Sequence, residues 1–187
     1  MRWITTIEPS EYRIEGYDLG PLLFGHCLLL ERFNLNEDKE ELPTPLDLWR
    51  WLNITSRNHA DARKWLSKDF SNMPNLARWA FCKTMKNEER FLVGLNNWAD
   101  YLHENTATPK TLNSVNAGQS STEIPRLQWL WNTAVTQLNY NPMELCEAPF
   151  GQLVWSILAL NEQNGGSRII GDRLEKVFED LKCQPSA

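Results

Sequence analysis

From residue 20 onward the chain alternates between stretches whose apolar residues recur every three or four positions and short polar breaks, so its dominant period is helical. Ahead of that pattern, residues 3–7 and 12–17 are short runs rich in aromatic and β-branched residues, separated by Glu8, Pro9, Ser10 and Glu11. They predict a β-hairpin in which Tyr12 and Ile14 alternate with Arg13 and Glu15. Two strands do not stand alone in water, so one face of the hairpin is expected to rest on the helix that follows.

That helix opens at Pro21 and continues to Phe33 through Leu22, Phe24 and Leu28 to Leu30, apolar nearly all round as a central helix is. Gly25 on it admits a close backbone approach. His26 and Cys27 are adjacent but not a nucleophile and its base, because neighbouring helical residues point roughly 100° apart. Residues 34–42 are acidic and read as a solvated connection. Thr44, Pro45 and Asp47 then signal a helix start, with Leu48, Trp49 and Leu52 inward. Trp51 lies at a wide angle from that set, as a second packing face or an exposed ring. A helix over 58–68 presents Ala62, Trp65 and Leu66, with His59 on its surface. Past Pro74, the residues Leu76, Ala77, Trp79, Ala80, Phe81, Cys82 and Met85 predict another nearly all-round apolar helix, a second candidate for the core. Phe91, Leu92, Leu95, Trp98, Ala99 and Leu102 follow the spacing of a one-sided amphipathic helix.

Residues 104–124 are polar, rich in small side chains and without period, and read as a long mobile loop within one domain. Pro125 opens a helix with Leu127, Leu130, Trp131, Ala134, Val135 and Leu138 on one face and Trp129 on the opposite one. Over 140–166, Pro142 and Pro149 mark two helix starts. The second helix carries the arc Phe150, Leu153, Val154, Ile157, Leu158 and Leu160, leaves Trp155 off that arc, and stops at Asn164, Gly165 and Gly166. A last helix over 172–183 has Leu174, Val177, Phe178 and Leu181 at i, i+3, i+4 and i+7. The fold class is therefore mainly α: a single compact helical domain with a small N-terminal β-hairpin at 1–17, helices over 20–103, the loop at 104–124 and C-terminal helices over 125–183.

Composition narrows the function. A 187-residue chain with 42% hydrophobic and 23% charged residues is ordinary for a globular protein, and its net charge of −5, with mixed signs throughout, argues against nucleic acid as a partner. No stretch approaches the roughly 18 apolar residues of a membrane span, and residues 1–9 lack the pattern of a signal peptide, so no membrane association and a cytoplasmic location are expected. The four cysteines, Cys27, Cys82, Cys146 and Cys183, are far apart, without the spacing of a zinc site or a disulfide framework. Neither the three histidines nor the carboxylate pairs Glu88–Glu89 and Glu144–Glu147 form a metal or acid–base signature, and there is no nucleophile elbow or phosphate loop. No cofactor, metal or catalytic residue is expected, and the chain reads as a non-enzyme. Nine tryptophans exceed the usual share, and each needs a core to fill or a partner to meet.

The run Leu138, Asn139, Tyr140, Asn141, Pro142, Met143, Glu144 and Leu145, followed by Ala148, Pro149, Phe150 and a helix ending near Glu162, resembles phage and prophage tail assembly chaperones. The likeness covers the last third of the chain, with Leu145 where that family commonly has an aromatic residue. It implies a non-enzymatic protein-binding module that shields apolar helical segments of a tape measure protein until the tail tube forms, by helix-in-groove recognition. Trp129, Trp155 and Trp51, chosen by their positions off the main apolar arcs, are the candidate partner-binding residues. Two alternatives stand beside it: a structural or adaptor component of a phage-like particle, which would self-associate into a homo-oligomer, and an enzyme with no recognisable motif.

Overall fold

Two backbone hydrogen bonds tie the start of the first helix to a break near the far end of the chain. In the computed structural model, which describes residues 12–32, 42–68, 75–108, 111–112, 126–166 and 168–169, the Phe24 N–H donates to Ala148 O (2.9 Å) and the Phe150 N–H donates to Leu22 O (2.7 Å). Leu23 and Pro149 thereby form an isolated antiparallel bridge. The predicted strand at 3–7, the acidic connection over 34–42 apart from Leu42, and the tail helix at 172–183 lie outside the described residues.

The fold is mainly α with a small antiparallel hairpin at its N-terminal side. The hairpin, however, is built differently from the expected one. β1 (Tyr12–Ile14) and β2 (Tyr17–Leu19) pair with each other, so the predicted second strand contains the turn itself. Glu15 and Gly16 sit at φ 50° and 85°, the two positive values that a type I′ turn needs. Nor does the hairpin rest on the next helix. It packs on α2 (Pro45–Thr55) and on α5 (Glu88–Thr106). The Tyr12 ring meets Tyr101 edge-on at 5.5 Å, its hydroxyl donates to Glu104, and Arg90 pairs with Glu15 at 2.7 Å. The carboxylate partner raises the Tyr12 phenol to about 12, with desolvation adding to it.

α1 (Phe24–Arg32) is the central helix, in contact with α2, α3 (His59–Leu66), α7 (Pro142–Glu147) and α8 (Phe150–Gln163). Gly25 faces the helix pair α3 and α7: a Cβ there would lie 2.5 Å from the His59 ring and 2.6 Å from Cys146 O. His59 is consequently not a free surface residue, since its ring packs over this glycine. Gly25→Ala is expected to destabilise the protein by about 1–3 kcal/mol, because the carbonyl belongs to backbone and cannot swing aside. A lowered urea midpoint at unchanged m-value would show it.

α2 begins at the expected Thr44 N-cap, which closes into a capping box: the Asp47 N–H donates to the Thr44 hydroxyl and the Asp47 carboxylate accepts from the Thr44 N–H. It encloses Leu48, Trp49, Trp51, Leu52 and Ile54. α5 also faces inward, but the centre of its buried arc is turned by about 90° from the predicted one. Gly94, Trp98, Tyr101 and Asn105 are buried, whereas Leu92 is 48% exposed and Ala99 faces out. The cause is local: Gly94 approaches the Leu48 side chain, and Asn105 accepts from the Leu22 N–H (3.0 Å) while donating to Tyr101 O, which fixes the rotation of the helix.

Two further expectations change. α4 (Leu76–Thr84) contains no buried residue and is a peripheral helix leaning on α2, not a second core helix. Glu104 to Thr106 continue α5, with Ala107 as its C-cap, and the two-residue strand β3 (Thr111–Leu112) pairs antiparallel with β4 (Arg168–Ile169); residues 109–110 and 113–124 of the predicted loop lie outside the described residues. α6 (Arg126–Gln137) turns into α7 through Asn139 at φ 56°, and the Tyr140 N–H reaches back to Ala134 O. α7, capped by Asn141, ends at the Ala148–Pro149 break, where α8 starts and buries Phe150, Leu153, Val154 and Ile157.

Candidate functional site

The described tryptophans divide into enclosed, half-buried and exposed rings. Trp51 is 5% exposed and lies stacked on Trp98 with centroids 4.4 Å apart and planes 20° apart. Of the two roles left open for it, the structure selects the packing face, and Trp51 is withdrawn as a partner-binding residue. The reason is α5, which crosses the face that the α2 sequence alone leaves uncovered. Trp49 meets the edge of Trp65 at 5.2 Å, and the Arg57 guanidinium lies 5.4 Å from the Trp65 ring centroid, so these rings also serve internal packing. Trp155 on α8 is half-buried, and its indole N–H is enclosed without a hydrogen-bond partner among the described residues. It presents no polar tip to solvent.

Trp129 does reach solvent, at 39% exposure. It forms one wall of a cleft of about 240 Å³ between α6 and α8, lined by Thr108, Arg126, Trp129, Leu130, Val154 and Leu158. Neither the hairpin nor Trp51 belongs to this cleft, so the three candidate rings do not share one surface.

α4, a candidate core helix on its sequence, exposes two large apolar side chains on one face. Leu76 is 75% exposed and Trp79 59%, with Ala77 and Ala80 beside them on the outward arc. Phe81 and Cys82 take the inward side, and Phe81 meets Tyr17 edge-on at 6.2 Å. Lys83 holds its ammonium 4.8 Å from the Trp79 ring centroid, which orients the indole across the helix surface. An all-round apolar pattern records that both sides of a helix are apolar, but not which side another element covers. Length gives no signal either, since α4 and the central helix α1 are both nine residues long.

A polar junction lies where α1, α3 and α7 meet. The Glu147 carboxylate accepts from the His59 N–H and the Ala60 N–H, both at 3.2 Å, and so caps the N-terminus of α3 from the end of α7. That gives one member of the Glu144–Glu147 pair a structural partner. His26 is buried beside it, with the Leu23 N–H donating to Nδ1 (3.2 Å) and Nε2 2.7 Å from Arg57 O. Burial pushes the imidazole down to about 4, against a smaller upward pull from the Arg57 carbonyl. Desolvation likewise raises Cys27 to about 12 and moves Cys82 and Cys146 upward, which keeps these thiols protonated at neutral pH. Among the described residues no group of three or more His, Cys, Asp or Glu side chains could hold a metal ion, and no helix is long and apolar enough to cross a membrane.

No protein-family model matches the chain, and neither does any curated protein or any solved structure.

Proposed function

We propose that the chain is a non-enzymatic protein-binding module, and that its partner is a protein with an apolar helical stripe. The observation that carries this is the outward face of α4, where Leu76 and Trp79 stand more than half exposed even though Lys83 lies over one face of the indole. Such anchors, a large aromatic ring beside an aliphatic one, are the residue types that supply most of the energy in protein interfaces. Leu92 and Val93 on α5 add exposed apolar area to the same molecule. Within that class, the tail assembly chaperone role is favoured by the helix–break–helix arrangement of α7 and α8, in which Pro142 and Glu144 begin one helix and Pro149 separates it from the next. The partner is then a tape measure protein, held through its apolar helical segments in the cytoplasm.

The test is affinity capture from the native host background with wild type and with Trp79→Ala and Leu76→Glu variants. Both positions are exposed, so folding stability should change by only about 0.5 kcal/mol. Recovery of a tape measure protein by wild type, reduced at least tenfold in the variants, is the expected outcome; tenfold corresponds to about 1.4 kcal/mol. Capture that is equal for all three chains removes α4 from the interface. Light scattering that shows a closed ring of this chain alone favours the adaptor role.

A further inference from the structure

We infer that the segment α4 receives is acidic: an amphipathic helix of another protein whose apolar stripe is bordered by aspartate or glutamate. This rests on the reading of α4 as an interface and adds the partner's charge to it. Leu76, Trp79, Ala80 and Lys83 are all exposed and lie within about 100° of the helix circumference. They extend over about 10 Å of its axis, two turns at 1.5 Å per residue, which is the reach of an i, i+3, i+7 stripe on a facing helix.

The charge on this arc has one sign. Lys83 stands on it with its ammonium 4.8 Å from the Trp79 ring centroid, and residues 75–87 contain Arg78, Lys83 and Lys86 but no acid. The next acids, Glu88 and Glu89, belong to the first turn of α5, where the helix N-terminus favours them. Elsewhere in the fold Arg13, Arg50 and Arg90 each meet a carboxylate, whereas among the described residues Lys83 and Lys86 meet none. A helix laid over Trp79 removes water from the Lys83 ammonium, and a cation that loses water in an interface needs an opposite charge in its place. The partner has to supply that charge. A second copy of this chain would bring the same arc to a symmetric contact, with no acid on it to meet Lys83.

Two stapled helical peptides with one leucine stripe, bordered by glutamate in the first and by lysine in the second, are titrated into the full chain and followed by fluorescence anisotropy. The net charge of −5 by itself favours the lysine peptide, so a preference for the glutamate peptide reports the local site. That preference is expected to be about tenfold or more in Kd for wild type, to vanish in Lys83→Gln and to reverse in Lys83→Glu, with the circular dichroism spectrum unchanged at this exposed position. Equal binding of both peptides, or a preference that survives Lys83→Glu, overturns the inference and leaves α4 as an interface. Binding of neither peptide, or binding that Trp79→Ala leaves unchanged, overturns the reading of α4 with it. Dimerisation of the chain alone that is lost in Trp79→Ala gives the face to a second copy and overturns the inference as well.

Discussion

Trp51→Ala is expected to lower the unfolding free energy by roughly 3–5 kcal/mol, the range for removal of a buried aromatic side chain. Its ring is 5% exposed and lies face to face with Trp98, and α5 is held against α2 partly through this stack. The loss combines transfer of the indole to water with the cavity left beside Trp98, since neither α2 nor α5 can collapse freely: Gly94 already brings α5 to the Leu48 side chain. Chemical denaturation of the variant would record the change as a lower midpoint. Trp79→Ala, of the same residue type on an exposed face, should barely move it. Equal stability for the two variants would mean that the Trp51 ring is not enclosed as described.

Acidification should also destabilise the protein, and His26 supplies the largest single share that can be assigned. In the folded state Nδ1 accepts from the Leu23 N–H, so the neutral ring carries its proton on Nε2 and donates to Arg57 O. A second proton on Nδ1 would break the first bond and charge a buried ring. The folded value, about 4, lies below the 6.5 of an ordinary imidazole, so between these limits the unfolded chain binds more protons than the folded one. The sign follows directly: this contribution is complete above pH 6.5 and is lost as the pH falls toward 4. Its size over that window is about 3 kcal/mol, from 1.36 kcal/mol for each unit of difference. Urea titrations at pH 7 and pH 4.5 on wild type and His26→Gln separate it from the carboxylates, because the amide cannot titrate. A flat wild-type profile, or an identical slope in the variant, would contradict the assignment.

Much of this architecture is written locally. Thr44, Pro45 and Asp47 specify the start of α2 through a cap that closes over four residues, and Pro149 separates α7 from α8 without help from elsewhere. Gly25 is legible as a close-approach position because a glycine inside an apolar helix has few other uses. What a period does not carry is the direction from which cover comes. Trp51 and Trp79 both sit off or around an apolar arc, yet one is stacked under α5, which crosses α2, and the other faces solvent on α4. The same ambiguity turned the α5 arc, where Leu92 was expected inward and a buried Asn105 took part of the inward face instead. The hairpin was displaced because Glu15 and Gly16, a turn pair, were read as strand. Of the candidate binding residues, Trp129 was recognisable from its angle alone, while Leu76 and Trp79 were hidden by an apolar pattern that looked like core.

The bridge between Leu23 and Pro149 has a consequence for the order of assembly. Its partners are separated by about 125 positions, and closing a flexible loop of that length costs about 4 kcal/mol in chain entropy before any contact offsets it. During synthesis the central helix α1 can meet α2 and α3 but lacks α7 and α8, which also contact it, until residues 142–163 have been made. The hairpin and α2 through α5 must therefore wait in a partly enclosed state, with Phe24 and Leu22 lacking their final cover. Folding should be gated by the arrival of residues 142–163, and its rate should track the sequence separation of that closure more than the stability of any single helix.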